Sequence, residues 1–143
     1  MARSLLYRLL GLGKILKNRR AQLEEEGIVL MDEGIPASMT LRNFSGMGQY
    51  ASRRWTAFTA ALVLTKSRLY GNSFFREVID IPLKDEHMRK IVVNVDEKGR
   101  LNIAFEASDF MPATGHVQLR FKTSQAQSFL DALQLHEGMP QRD

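Results

Sequence analysis

Two periodicities divide the chain. In the first two dozen residues, Leu5, Leu9, Leu12, Leu16 and Leu23 recur at spacings of four, three, four and seven. On a helix of 3.6 residues per turn they form one narrow stripe. Leu6, Leu10 and Ile15 fall outside it, and Gly11 and Gly13 each cost about 1 kcal/mol relative to alanine. Such a helix is marginal alone and has to lean on its own body, a second chain or a membrane surface. After Glu24-Glu25-Glu26-Gly27 the period changes to alternation. Ile28 to Met31 reads as a short strand, followed by a turn through Asp32-Glu33-Gly34 and Pro36. A second strand-like segment runs through Met39, Leu41 and Asn43, and Ser45-Gly46-Met47-Gly48-Gln49 reads as a loop. Trp55 to Leu64 is a long strand with Phe58, Ala60, Leu62 and Leu64 on one face. A Thr65-Lys66-Ser67-Arg68 turn leads to Leu69 and Tyr70. Alternation returns at Ile79-Ile81-Leu83, at Ile91-Val93-Val95, at Leu101-Ile103-Phe105 after a hairpin turn at Asp96-Glu97-Lys98-Gly99, and at Val117-Leu119-Phe121.

The end of the chain is helical again. Ser124 and Gln127 have capping-box spacing, and Ala126, Phe129, Leu130 and Leu133 form one apolar face over about 124–136. The expected fold is therefore mainly β: seven or eight antiparallel strands curled into a barrel or sandwich that limits open edges, with the helix across one end. The domain plan is a basic helical arm at 1–26, a barrel at 27–137 and a disordered tail at 138–143.

At 143 residues the chain is long enough for one domain with its own core. It has no cysteine, hence no disulfide framework, zinc–thiolate site or thiol chemistry. No apolar run approaches the length of a membrane-spanning helix. The net charge of +4 hides an asymmetry: residues 1–23 carry Arg3, Arg8, Lys14, Lys17, Arg19 and Arg20 and no acid, and the remainder is −2. A basic arm on a slightly acidic body argues against nucleic-acid binding by the whole domain. It suits docking on the body, self-association or an anionic surface, and an Arg-rich, acid-free start also suits a targeting segment. The expected location is cytoplasmic, with peripheral contact to a membrane.

Catalytic chemistry finds little support. His87, His116 and His136 are scattered, and only His87 has acidic neighbours, Asp85 and Glu86. There is no Gly-x-Ser-x-Gly elbow, and neither "GLGK" nor "GMG" completes a phosphate-binding loop. The aromatic platform of single-strand binders is not expected, since Phe58, Phe105, Phe121 and Phe129 sit on core faces. No enzyme activity, cofactor or metal is expected. Asp80, between Ile79 and Ile81, falls on the opposite strand face, where exposure or a hydrogen bond accounts for it.

"ALVLTKSRLYG" followed by "VIDIPL" resembles the pleckstrin-homology-like superfamily, especially its GRAM and bacterial members, through Leu64, Thr65, Arg68, Leu69, Ile81, Pro82 and Leu83. "VQLRFKTSQAQSFLDAL" is similar to their last strand and terminal helix. The resemblance covers about residues 28–135. It implies a seven-stranded, strongly bent barrel with a capping helix, acting as a binding scaffold. It also implies that a phosphate-bearing ligand would meet basic residues on the first two strands, here Arg42, Arg53 and Arg54, with Lys66 and Arg68 nearby. Guanidinium groups suit phosphate oxygens geometrically. Two functions follow as expectations: peripheral association with an anionic lipid surface, or an adaptor that packs its leucine stripe on a partner or a second copy.

Overall fold

The structure is a computed structural model and describes residues 15–46, 48–73 and 76–135. Helix α1 (Lys17–Glu26) precedes seven strands: β1 (Ile28–Gly46), β2 (Gln49–Thr65), β3 (Arg68–Asn72), β4 (Glu77–Pro82), β5 (Ile91–Val95), β6 (Leu101–Glu106) and β7 (Ala113–Phe121). One turn of helix, α2 (Asp85–Met88), joins β4 to β5, a 3-10 turn (Ala107–Asp109) follows β6, and α3 (Ala126–Gln134) ends the described chain. All pairings are antiparallel, in the order β4-β3-β2-β1-β7-β6-β5. The sheet curls into a half-barrel.

Strand alternation places Ile35, Ala37 and Leu41 of β1, Ala60, Leu62 and Leu64 of β2, and Val117, Leu119 and Phe121 of β7 in one interior core. Phe129 and Leu133 of α3 enter that core fully buried, while Leu130 is only half-buried. Burying Phe129 contributes about 2–3 kcal/mol by area, and this fastens the helix over the opening. The capping box does not form. Gln125 occupies the cap with no side-chain capping bond, its Nε2 donating instead to the Met31 carbonyl at 3.0 Å, and Gln127 reaches forward to Asp131 at 2.8 Å. The turn into the helix is held instead by Thr123, whose Oγ1 accepts the Gln125 N–H at 3.1 Å and donates to Asp32 at 2.6 Å.

That last bond explains the largest departure from the sequence reading. Asp32-Glu33-Gly34 is no turn, because β1 runs through it as a single strand with a register shift between Glu33 and Ile35. Gly34, at φ 71, takes the positive angle of the bulge. Both carboxylates are buried yet partnered: Asp32 by Thr123, and Glu33 by the Ile15 N–H at 2.8 Å and Arg20 at 3.4 Å. A buried acid needs such partners, and they come from opposite ends of the chain. The 45–49 loop is likewise shorter than expected, since β1 and β2 pair as far as Gly46 and Gln49.

A second, smaller core lies on the outer side of β2 and β3. Ile15 and Leu23 pack there on Ala61, Val63 and Tyr70, so this half of β2 is buried on both faces. α1 therefore docks on its own sheet. Of the leucine stripe, Leu23 is buried and Leu16 half-buried; Leu5, Leu9 and Leu12 lie outside the described residues. Ile15, off the stripe, is buried because the helix starts only at Lys17.

Candidate functional site

The basic turn at Thr65–Arg68 is a latch. Thr65 Oγ1 accepts the Ser67 and Arg68 N–H groups at 3.2 and 3.0 Å and donates to Glu26 at 2.9 Å. The Arg68 Nε lies 3.0 Å from both Glu26 oxygens, and its Nη1 lies 3.0 Å from both Asp80 oxygens. One guanidinium thus joins the end of α1 to β4. Arg19 completes the cluster by pairing with Glu77 and Asp80 and lying 5.4 Å over the Tyr70 ring. Burial by itself would raise the Glu26 carboxyl; hydrogen bonds from Arg68, Ser67 and Thr65 and the Arg68 charge outweigh it and hold it below the ordinary value. Burial would lower Arg68, and its two carboxylates reverse that. Burial pushes the Tyr70 phenol up to about 12, with the Glu77 charge adding to it.

The nominated cations therefore separate. Arg19, Arg20 and Arg68 are spent on internal ion pairs. Lys17 is exposed on α1, and Arg3, Arg8 and Lys14 lie outside the described residues. Lys66 is exposed beside Gly27, whose carbonyl accepts its N–H at 3.1 Å. It sits at the far end of β2 from Arg53, up to about 40 Å away at about 3.3 Å per residue. Lys66 and Arg68 do not gather with Arg42, Arg53 and Arg54. Those three share the other end of the β1–β2 hairpin, but not one face. Arg42 stands opposite Arg53, and Arg54 stands opposite the core residue Leu41. Arg54 therefore turns to the inner side, where its Nη1 donates to Gln49 at 2.6 Å.

The outer side of this end is a basic, aromatic face. Arg53 and Trp55 of β2 flank Arg42 and Thr40 of β1, with His116, Gln118 and Arg120 beyond on β7. Trp55 is 63% exposed. A shallow depression of about 250 Å³ runs beside it, lined by Ser38, Ala57, Arg100, Arg120 and Lys122 among others. Arg42, Arg53, Arg120 and Lys122 form no ion pair among the described residues, whereas Arg100 is held by Asp96 at 2.8 Å. Besides Asp96, the acid Glu106 stands at this face, 3.3 Å from His116. Arg120 and Lys122 were missed in the sequence because one sits in, and the other just after, a strand read only for its core residues. Trp55 was missed as an exposed aromatic because it opened an apolar run; the signal was its position out of phase with Phe58, Ala60 and Leu62.

Neither His87 nor His116 lies in a group of three potential metal ligands among the described residues, and His136 lies outside them. No described helix is long and apolar enough to cross a membrane. Fold and surface together define a curled antiparallel half-barrel that carries a docked N-terminal helix and a bare cationic face. Searches of family models, curated proteins and solved structures found no match to this chain.

Proposed function

We propose that this protein is a non-catalytic binding module of pleckstrin-homology-like build that associates with an anionic lipid surface through the outer face around Trp55. The observation that carries the reading is four cations that form no ion pair among the described residues, Arg42, Arg53, Arg120 and Lys122, clustered about an exposed tryptophan. Arg19, Arg20, Arg68 and Arg100 are neutralised within the fold, whereas these four stand together without an internal counter-charge, which an anionic surface would supply. Each cation near an anionic headgroup layer contributes about 1 kcal/mol. An indole settles at the interface between headgroups and acyl chains. Supporting the family resemblance are the number of strands, their strong curl and the terminal helix. The helical arm contributes less than its composition suggested, because Arg19 and Arg20 point into the protein's own ion pairs.

Co-sedimentation with liposomes tests this. The full chain is expected to pellet with phosphatidylserine-containing vesicles and not with phosphatidylcholine alone, and to be released as salt rises. Arg53→Glu combined with Arg120→Glu should abolish pelleting, and Trp55→Ala should weaken it. Equal binding to both vesicle types, or none to either, would remove the electrostatic membrane reading.

A further inference from the structure

α3 packs at the Leu64–Thr65 end of β2, and burial falls away toward the other end along the inner face of that strand. Leu62 and Ala60 are fully buried, Phe58 is half-buried, and Thr56 and Arg54 are exposed. Met39 and Leu41 of β1 stand opposite Thr56 and Arg54, so all of these side chains share one face of the sheet. The interior opens here into a groove of about 400 Å³. Its apolar lining is Met39, Leu41, Phe58 and Val78, the last packed against the main core from β4. Gln49 and Arg54 stand at its mouth, and no carboxylate lines it among the described residues. Gln49 Oε1 accepts an Nη1 N–H of Arg54 at 2.6 Å, which orients the guanidinium without neutralising it.

We infer that this groove binds a single-chain fatty acid, its hydrocarbon laid along Met39, Phe58 and Val78 and its carboxylate on Arg54. An apolar lining continuous with the core gains free energy by covering hydrocarbon and offers a polar body nothing to bond. The cation stands at the mouth, on the same face as the apolar lining, where the head of such a chain must lie. A guanidinium meets a carboxylate through two parallel N–H bonds. Length agrees: the four residues from Arg54 to Phe58 span about 13 Å at about 3.3 Å per residue. An extended chain of about ten carbons covers that distance at roughly 1.25 Å per bond. The volume falls within the range of about 300–1,000 Å³ usual for small-ligand sites. A lone inorganic anion would leave the lining uncovered, and a two-chain lipid is larger than the groove. The inference goes beyond the lipid-binding face: Arg54 and Arg53 are adjacent in sequence and point to opposite sides of the sheet.

The test titrates the full chain with sodium decanoate, below its micellar concentration, by calorimetry. Binding should saturate at one ligand per chain. Decanol and decyltrimethylammonium should bind about tenfold more weakly or worse, and octanoate, two methylenes shorter, about fivefold more weakly. Arg54→Gln should weaken decanoate by about tenfold or more and leave decanol unchanged. Arg53→Gln should alter decanoate by less than about twofold, with circular dichroism confirming that both variants are folded. In methyl NMR spectra the Met39 and Val78 signals should shift on adding decanoate, while the Trp55 indole N–H stays in place. No binding of decanoate, equal binding of decanol or decyltrimethylammonium, or unaltered affinity in Arg54→Gln would each overturn the proposal. So would a shift at Trp55 in place of Met39 and Val78, which would put the ligand on the outer face. A short apolar peptide with a free C-terminal carboxylate that binds more tightly than decanoate would also overturn it, by assigning the groove to a chain end. Liposome binding depends on Arg53, Arg120 and Trp55, so the two proposals fail separately.

Discussion

Replacing Arg68 by alanine tests whether the basic turn is a structural latch. The perturbation leaves Asp80 with Arg19 as a partner, but leaves Glu26 without a counter-charge, held by Ser67 and by Thr65 and Gln22 at 2.9 and 3.2 Å. The side chains of Arg68, Glu26 and Asp80 are 23, 17 and 29% exposed. That places the cluster between exposed ion pairs, worth about 0.2–1 kcal/mol, and buried pairs, whose breakage costs about 3–5 kcal/mol. We expect a loss of about 2 kcal/mol, or roughly 4–8 °C in melting temperature for a chain of this size. The expected pH dependence follows from the depressed Glu26 carboxyl. A folded-state value below the ordinary 4.5 means stability that is fully present above that pH and lost as pH falls through the folded value. The gap between wild type and variant should therefore be constant near neutrality and close in acid. Urea unfolding from pH 7 to pH 3 measures it, with amide exchange showing greater loss of protection in α1 than in β7. Lys66→Ala, two residues away in the same turn and exposed, should change stability by less than about 0.5 kcal/mol. If Arg68→Ala melts within about 1 °C of wild type, or its deficit does not shrink in acid, the latch does not exist.

Phe129→Ala should cost about 3–5 kcal/mol in chemical denaturation, because the side chain is fully buried where α3 closes the half-barrel; a loss under about 1 kcal/mol would mean that the helix is not seated there. Asp96 is held down to about 2: burial opposes this, and bonds from the Arg100 backbone and side chain, Asn102 and the Lys98 backbone outweigh it. Asp96→Asn should therefore remove stability that wild type keeps above about pH 4 and sheds on acidification toward pH 2, read as convergence of the two thermal melts in acid. Gly115→Ala should destabilise by about 2 kcal/mol or more, since its φ is 114 and a Cβ would sit 2.6 Å from the Asn43 carbonyl oxygen; an unchanged melt would show that β1 yields there at little cost.

The alternating residues of 28–121 determined by themselves that the body is a curled antiparallel sheet, and the 126–133 face determined that a helix covers it. Hydrophobic periodicity is local, and burial enforces it position by position. The same logic put Phe58, Ala60, Leu62 and Leu64 on one side of β2. It could not say that Ala61 and Val63 on the other side are also buried, because that depends on α1 folding back over them. Nor could it recognise Asp32 and Glu33 as strand residues. An acid-acid-glycine triplet has the composition of a turn, and only Thr123, Ile15 and Arg20, distant in sequence, make burial of those carboxylates tolerable. The candidate site divides in the same way. Sequence supplied the arginines, but an arginine has the same composition whether it meets an internal carboxylate or solvent. Tertiary structure decided that Arg68, Arg19 and Arg20 are neutralised at home, that Arg53 and Arg54 serve opposite faces, and that Arg120 of β7 and Lys122 just beyond it join the bare face. Strand alternation fixes which side a residue takes, and only the pairing of strands remote in sequence decides which charges become neighbours.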